Sequence, residues 1–264
     1  MTDQTADPTK VQEAADAIWR AFAQDQTIAP VRTLLGDDLE AAYAAQALNA
    51  KRWEAQERKL SGRKIALTSA ADQVRLGADG PVSGLLFADM EATSHAPIPM
   101  DRVAQPKVEA EVAFVISAPL TGEHLTMVEL LASIGFVLPA LEIAGCRIAD
   151  RDVRPVDIVA DNGGGGAYVL GQTPKRLADF DQRLGGMAMF RNGEPVSFGA
   201  GAACMGSPVN ALYWLARQQA RAGRPLGPGD LVLSGALGPG VAASSGDLFE
   251  AEIAGLGSVR ARFA

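Results

Sequence analysis

The sequence predicts an α+β fold, a mixed sheet or rolled barrel with helices packed on it, preceded by an N-terminal helical region. Three observations carry this. The stretch before Gly62 has helical periodicity. From Gly62 onward the texture changes to short β-like runs separated by Gly, Pro and Asp. Neither long parallel βαβ repetition nor an internal repeat of roughly 20–50 residues is visible, which argues against a doubly wound sheet or a solenoid.

The two N-terminal runs, VQEAADAIWRAFAQDQ (11–26) and DLEAAYAAQALNAKRWEAQERK (38–59), place apolar residues at i, i+3, i+4 among strong helix formers. Their joint, TIAPVRTLLGDD, holds Pro and Gly breakers, so residues 1–61 read as a helical unit and 62–264 as the β-rich remainder. Strands are expected in RKIALTS, GLLFADM, KVEAEVAFVIS, GFVLPALEIAG, GAYVLG, GMAMFRNGEPVSF, DLVLSGAL and DLFEAEIAGLGSVRARF. The Asn-Gly in MFRNGEPV marks a two-residue hairpin. Two further helices are clear: MVELLASIG (127–135), and SPVNALYWLARQQARAG (207–223), with Ser207 as N-cap, Pro208 next and Gly223 at the end.

With 264 residues, 48% of them hydrophobic, the chain has ample core material. A formal net charge of -7, with no compensating Lys/Arg run, makes nucleic acid and anionic membranes poor partners. The polar start, MTDQTADPTK, lacks the basic and apolar regions of a signal peptide, and the longest apolar run is too short for a bilayer and carries a carboxylate. The expected location is the cytoplasm. Cys146 and Cys204 lack metal-ligand spacing and read as buried free thiols.

The anomaly is KVEAEVAFVIS, residues 107–117. In a strand, Glu109 and Glu111 share one face, which continues through the apolar Ala113 and Val115, so both faces of the strand read as buried. Glu142 repeats the pattern, sharing its face with Leu138, Ala140 and Ala144. An unpaired buried carboxylate costs several kcal/mol or takes up a proton, and two at i, i+2 repel one another. A cation removes both penalties. Three oxygen ligands without His or Cys suit Mg²⁺ or Mn²⁺, which take about six oxygens and would leave roughly three positions for water or substrate. The competing reading is structural carboxylates paired with an arginine, Arg147 being the candidate.

Lys64 in GRKIALTS, followed by Thr68 and Ser69, could serve as an acid/base or as an anchor for a carboxylate, against the simpler reading of a solvated lysine. DNGGGG (161–166) lacks the G-x-G-x-x-G order of a dinucleotide loop and instead permits close backbone approach. LSGALGPG (233–240) offers backbone N–H groups and the hydroxyl of Ser234 at a strand end. His95 and His124 sit in loop-like contexts without triad partners by spacing.

With KIALTS, VEAEVAFVIS, LPALEIAGCRI, DIVADN, GAACMGSPVNALYWLA and GDLVLSGALGP in order, the chain resembles the 2-oxopent-4-enoate (vinylpyruvate) hydratase family. That family's relatives include the 4-oxalocrotonate decarboxylases, within the fumarylacetoacetate hydrolase superfamily. The resemblance runs from about Gly62 to the C-terminus, and the N-terminal helices also fit. It implies a mixed β-sandwich or roll around a divalent metal, Mg²⁺ or Mn²⁺, with Glu109, Glu111 and Glu142 as ligands and Lys64 as the active-site lysine. Substrate contacts are expected from Ser69, Ser234, Leu86 and the backbone at Gly164 and Gly165. The implied reaction is hydration of a 2-hydroxy-2,4-dienoate to a 4-hydroxy-2-oxo acid in aromatic catabolism, by a homo-oligomer.

The chain departs from the family pattern in three places. Pro81, Val82, Ser83 and Gly84 stand where P-D-[FY]-G is typical, Gly164 and Gly165 where serines are, and Ala66 where a glycine follows K-[IV]. The metal and lysine half of the site is kept while proton-transfer partners are lost. A 2-oxo-3-enedioate decarboxylase, an enol/keto tautomerase and a non-catalytic metal-binding partner subunit are therefore the rival readings. A C–C hydrolase would need an H-x-x-E upstream of Glu109, and the chain has none.

Overall fold

The computed structural model describes residues 7–122 and 124–264; the start of the N-terminal region, residues 1–6, lies outside them. Asp7 caps α1 (Pro8–Gln24) by accepting the Thr9 N–H at 2.9 Å, and Asp38 caps α3 (Leu39–Ala55) through Ala41 at 3.0 Å. Between them the joint forms one extra turn, α2 (Arg32–Leu35), which its Pro and Gly residues had concealed. α1 and α3 pack through small residues, Ala14 and Ala15 against Ala42 and Ala45, and Asn49 donates to the Ala15 carbonyl at 3.0 Å.

β1 (Leu60–Ala66), α4 (Ala70–Leu76), β2 (Val82–Phe87), β3 (Glu91–Ala92), β4 (Lys107–Ile116), α5 (Met127–Ala132) and β5 (Ile134–Ala144) follow. Next come α6 (Pro155–Ala160), β6 (Ala167–Leu170), the hairpin β7 (Gly186–Arg191) and β8 (Glu194–Ala200), then α7 (Pro208–Arg221). The chain ends with β9 (Leu231–Leu233), β10 (Val241–Ala242), β11 (Leu248–Ile253) and β12 (Gly257–Arg262). The hairpin turn has both Asn192 and Gly193 at positive φ, +55° and +85°, as a tight turn between twisted strands requires.

Besides α2, two helices escaped the sequence reading. α4 is a short helix capped by Ser69, which accepts the Asp72 N–H. α6, PVDIVA, is rich in β-branched residues, but Pro155 presets its first turn and the Asp157 carboxylate accepts the Arg154 N–H at 2.9 Å. Arg32 locks α6 to α2 through a 2.7 Å ion pair with buried Asp157. Local capping and tertiary packing here override strand propensity.

The larger sheet has the order β2-β1-β9-β4-β5-β6-β3, with β10 on β4, and the smaller has the order β12-β11-β7-β8. The even-numbered side chains of β4, Val108, Ala110, Val112 and Phe114, join a core with the smaller sheet and α7. The opposite face packs Ala113, Leu138 and Ala140 against Trp53, Phe87 and Tyr168. The N-terminal helices share an apolar cluster with Val82 of β2, Ile148 and α6. No helix among the described residues is long and apolar enough to cross a membrane.

Gly84 of β2 lies against the loop after α6. A Cβ there would stand 2.1 Å from the Asn162 carbonyl oxygen, a backbone atom that cannot swing away. Gly84→Ala is therefore expected to lower stability by about 2 kcal/mol or more, read as a drop in melting temperature.

Candidate active site

β4 and β5 pair antiparallel with Glu109 directly opposite Glu142, and Glu111 lies two residues further along the same face. One carboxylate oxygen from each of the three lies within 4.8 Å of the others. β9, which separates β4 from β1, ends at Leu233, and the backbone leaves the sheet at Ser234 and Gly235. There the Gly235 N–H donates to Glu111 Oε2 at 2.8 Å. From β1, Lys64 reaches across: its Nζ is 2.5 Å from Glu142 Oε1 and donates to the Gly163 carbonyl at 2.7 Å. The lysine is fully enclosed, not solvated.

Glu111 and Glu142 are buried, and Glu109 is half-buried where it lines, with Lys64, a cleft of about 550 Å³. Glu111 Oε1 and Glu142 Oε2 have no hydrogen-bond partner in the protein. Burial, then the neighbouring Glu142, pushes the Glu109 carboxyl up to about 7, with Lys64 opposing. The same two causes hold Glu111 well above its ordinary range. Burial works against charge on Lys64, but Glu142, Glu109 and Glu111 together outweigh it and raise its pKa.

Three crowded carboxylates with one lysine leave buried negative charge in excess and orphaned oxygens pointing at a common centre. That donor set fits a hard divalent cation. Arg147, the alternative counter-ion, is engaged elsewhere. It pairs with Asp161 at 3.0 Å, donates to the Gly165 carbonyl and lies over the Phe22 ring.

The pKa of Glu109 has a measurable consequence for the metal-free protein. Its folded-state value lies above the ordinary 4.5, so its contribution favours folding at low pH and is lost as pH rises from about 4.5 to about 7. The loss is at most roughly 3 kcal/mol. Melting curves in a chelator should show it between pH 5 and 8, and excess Mg²⁺, which takes the ionised form, should remove it.

Of the expected substrate contacts, Ser69 and Gly164 line the cleft. Ser69 Oγ donates to Asp72 at 2.6 Å. Ser234 faces the sheet, with its Oγ accepting the Val112 N–H and donating to the Gly235 carbonyl. Leu86 packs in the apolar layer around Trp53, and Gly165 lies behind the cleft wall against Met90. Val82, at the position of the family's acid, is buried in the helical cluster, so no carboxylate replaces it there.

The glycine run sets the position of a backbone carbonyl. Gly163, at φ +65°, packs against the Gly84 backbone and turns its carbonyl toward Lys64. Asn162 fixes it by exchanging two hydrogen bonds with the Leu85 backbone. Both cysteines are free and buried, and burial pushes the Cys204 thiol up to about 12. Three basic residues on the cleft, Arg75, Lys107 and Arg151, were missed from the sequence. Lys107 carried a signal, since it shares the odd-numbered face of β4 with the glutamates.

A family model described as fumarylacetoacetate (FAA) hydrolase C-terminal matches residues 63–264. The chain belongs to the fumarylacetoacetate hydrolase family. Among its relatives it is 54% identical to a "TodF product hydratase" of Pseudomonas putida, covering 98% of this chain and 97% of that one. It is 48% identical to a 2-keto-4-pentenoate hydratase of Paraburkholderia xenovorans, covering 97% and 96%. The solved structure of 4-oxalocrotonate decarboxylase from Pseudomonas putida G7, complexed with magnesium and adipate, superposes with a TM-score of 0.92 at 30% identity, covering 98% and 99%. The α+β architecture with its N-terminal helices is thus that of the family, and the protein is an enzyme.

Proposed function

We propose that this family member is a divalent-metal-dependent hydratase that converts a 2-hydroxy-2,4-dienoate, or its 2-oxo tautomer, to a 4-hydroxy-2-oxo acid in the breakdown of aromatic compounds. The observation that carries the proposal is the clustered set of Glu109, Glu111 and Glu142, backed by Lys64 and opening through Glu109 on a cleft. The hydratase names of relatives at 54% and 48% identity support it.

Glu109, Glu111 and Glu142 would hold the ion, Mg²⁺ or Mn²⁺. When bound it supplies an electrophile for the substrate's carboxylate and C2 oxygen, lowering the energy of enolate charge. The reaction loses a proton from the C2 hydroxyl and gains one at C5; water then adds its oxygen at C4 and a proton is added at C3. Lys64, kept charged by three carboxylates, is the chain's own group for holding a proton beside the C2 oxygen. Gly163 and Glu142 fix its Nζ, so the ammonium needs no reorganisation as charge develops. The same reading takes the protein to be a cytoplasmic homo-oligomer.

The test is incubation with 2-hydroxypenta-2,4-dienoate and Mg²⁺. Loss of the conjugated absorbance, a 4-hydroxy-2-oxo acid as product, and abolition by a chelator are expected. A second reading, 2-oxo-3-enedioate decarboxylation, is favoured by one observation, the apolar burial of Val82 where the family carries an acid. Release of CO₂ from an enedioate, without hydration of the monocarboxylate, would select it.

A further inference from the structure

We propose that Ser234 is a positioning residue of the metal centre. It turns the peptide after β9 so that the Gly235 N–H claims one oxygen of Glu111 and leaves the other for the ion, and the site thereby prefers Mn²⁺ or Mg²⁺ to Ca²⁺. The inference rests on the metal-site reading above and extends it from the ligands to the group that aims one of them.

β9 ends at Leu233, which stands opposite Ala113, so Ser234 falls opposite Val112, the residue after Glu111. A hydrogen-bonded antiparallel pair exchanges two backbone bonds. One is present, from the Ser234 N–H to the Val112 carbonyl at 3.0 Å. The other is replaced, because the Val112 N–H donates to Ser234 Oγ at 3.1 Å instead of to the Ser234 carbonyl. The carbonyl is released from the ladder and accepts the Cys204 thiol at 3.1 Å. In a trans peptide the N–H points opposite to the carbonyl, and here it is the Gly235 N–H that reaches Glu111 Oε2 at 2.8 Å.

The peptide is braced from other sides as well. Ser234 Oγ donates to the Gly235 carbonyl at 2.8 Å. Gly235 lies at φ +95°, and a Cβ there would stand 2.5 Å from Thr68 Oγ1, so the turn takes glycine. Ser234 and Cys204 are fully buried, and burial keeps the thiol protonated and able to donate.

The two buried glutamates are thus held alike. Lys64 stands at Glu142 Oε1 and the Gly235 N–H at Glu111 Oε2, while Glu142 Oε2 and Glu111 Oε1 have no hydrogen-bond partner among the described residues. A carboxylate gripped at one oxygen offers the other singly. Mg²⁺ and Mn²⁺ suit an octahedral set of single oxygens, whereas Ca²⁺ takes six to eight and accepts bidentate carboxylates. Without the hydroxyl, the Val112 N–H would draw the Ser234 carbonyl back into the ladder, and Glu111 would lose the N–H that orients it.

The experiment titrates Mn²⁺ and Ca²⁺ calorimetrically into the full-length protein, with melting curves in a chelator to show that the variants fold. The wild type should prefer Mn²⁺. Ser234→Ala should weaken Mn²⁺ binding about ten-fold or more, the range for losing a group that orients a ligand, and Ca²⁺ binding by a smaller factor. Ser234→Thr, which keeps the hydroxyl, should retain the preference. A wild type without the preference overturns the proposal, as does Ser234→Ala with unchanged Mn²⁺ affinity. Loss of packing alone would weaken both ions by one factor, and that result, or loss of the preference in a folded Ser234→Thr, overturns it too. Should Ser234→Ala not fold, Cys204→Ala decides: it frees the carbonyl end of the same peptide, and an unshifted Mn²⁺/Ca²⁺ ratio overturns the proposal. Each of these outcomes leaves the hydratase reading standing. A wild type that binds no Mn²⁺ sinks the metal-site reading and this proposal with it.

Discussion

Glu111→Gln is expected to abolish tight Mn²⁺ binding and to lower turnover by about a thousand-fold or more. The substitution keeps an acceptor for the Gly235 N–H, so the geometry is held while one of three ligand charges is lost. Loss of several kcal/mol of charge stabilisation corresponds to that factor at about 1.4 kcal/mol per decade. The sign of the stability change separates this account from a structural role for Glu111. In a chelator the variant should melt higher than the wild type, because it removes a buried carboxylate that has an orphaned oxygen and repelling neighbours. With excess Mn²⁺ the order should reverse. A variant that binds Mn²⁺ as the wild type does would show that the carboxylates are not ligands.

Lys64→Met should act on two quantities at once. Removing the ammonium leaves Glu142 buried beside two other carboxylates, and breaking a buried pair from one side costs about 3–5 kcal/mol. Denaturant titration of the metal-free protein should show that loss, and saturating Mg²⁺ should shrink it by supplying the missing positive charge. Turnover with metal bound should still fall roughly 10²–10⁴-fold, the range for loss of a positioned proton-transfer group. Recovery of wild-type turnover by metal alone would reduce Lys64 to a counter-ion.

Much of the site was legible in the chain because strand parity is a strict rule. Glu109 and Glu111 share a face in any strand, and the apolar Ala113 beyond them is enough to imply burial. The helices of the N-terminal region were legible for the same kind of reason, their period of apolar residues. α6 was not, because β-branched residues mask a helix whose stability comes from Pro155, Asp157 and its ion pair with Arg32. Nor could the sequence tell that Ser234 turns inward to the Val112 backbone while Gly163, with no side chain, supplies the contact to Lys64. The family pattern points at side chains, and a backbone carbonyl leaves no mark in it.

Composition, periodicity and the spacing of the glutamates determined the α+β class and the interior placement of the carboxylates, since both follow from local geometry and desolvation; whether a hard cation or an arginine answers their charge was left open by the spacing. Only the tertiary structure decided that Glu142 stands opposite Glu109, that Lys64 and not Arg147 is their counter-ion, and that Lys107 and Arg151 meet at one end of the cleft. Those facts depend on strand register and on a loop folding back across the sheet. Coulomb interactions act over a few ångströms of space, and distance along the chain does not reveal which charges share it.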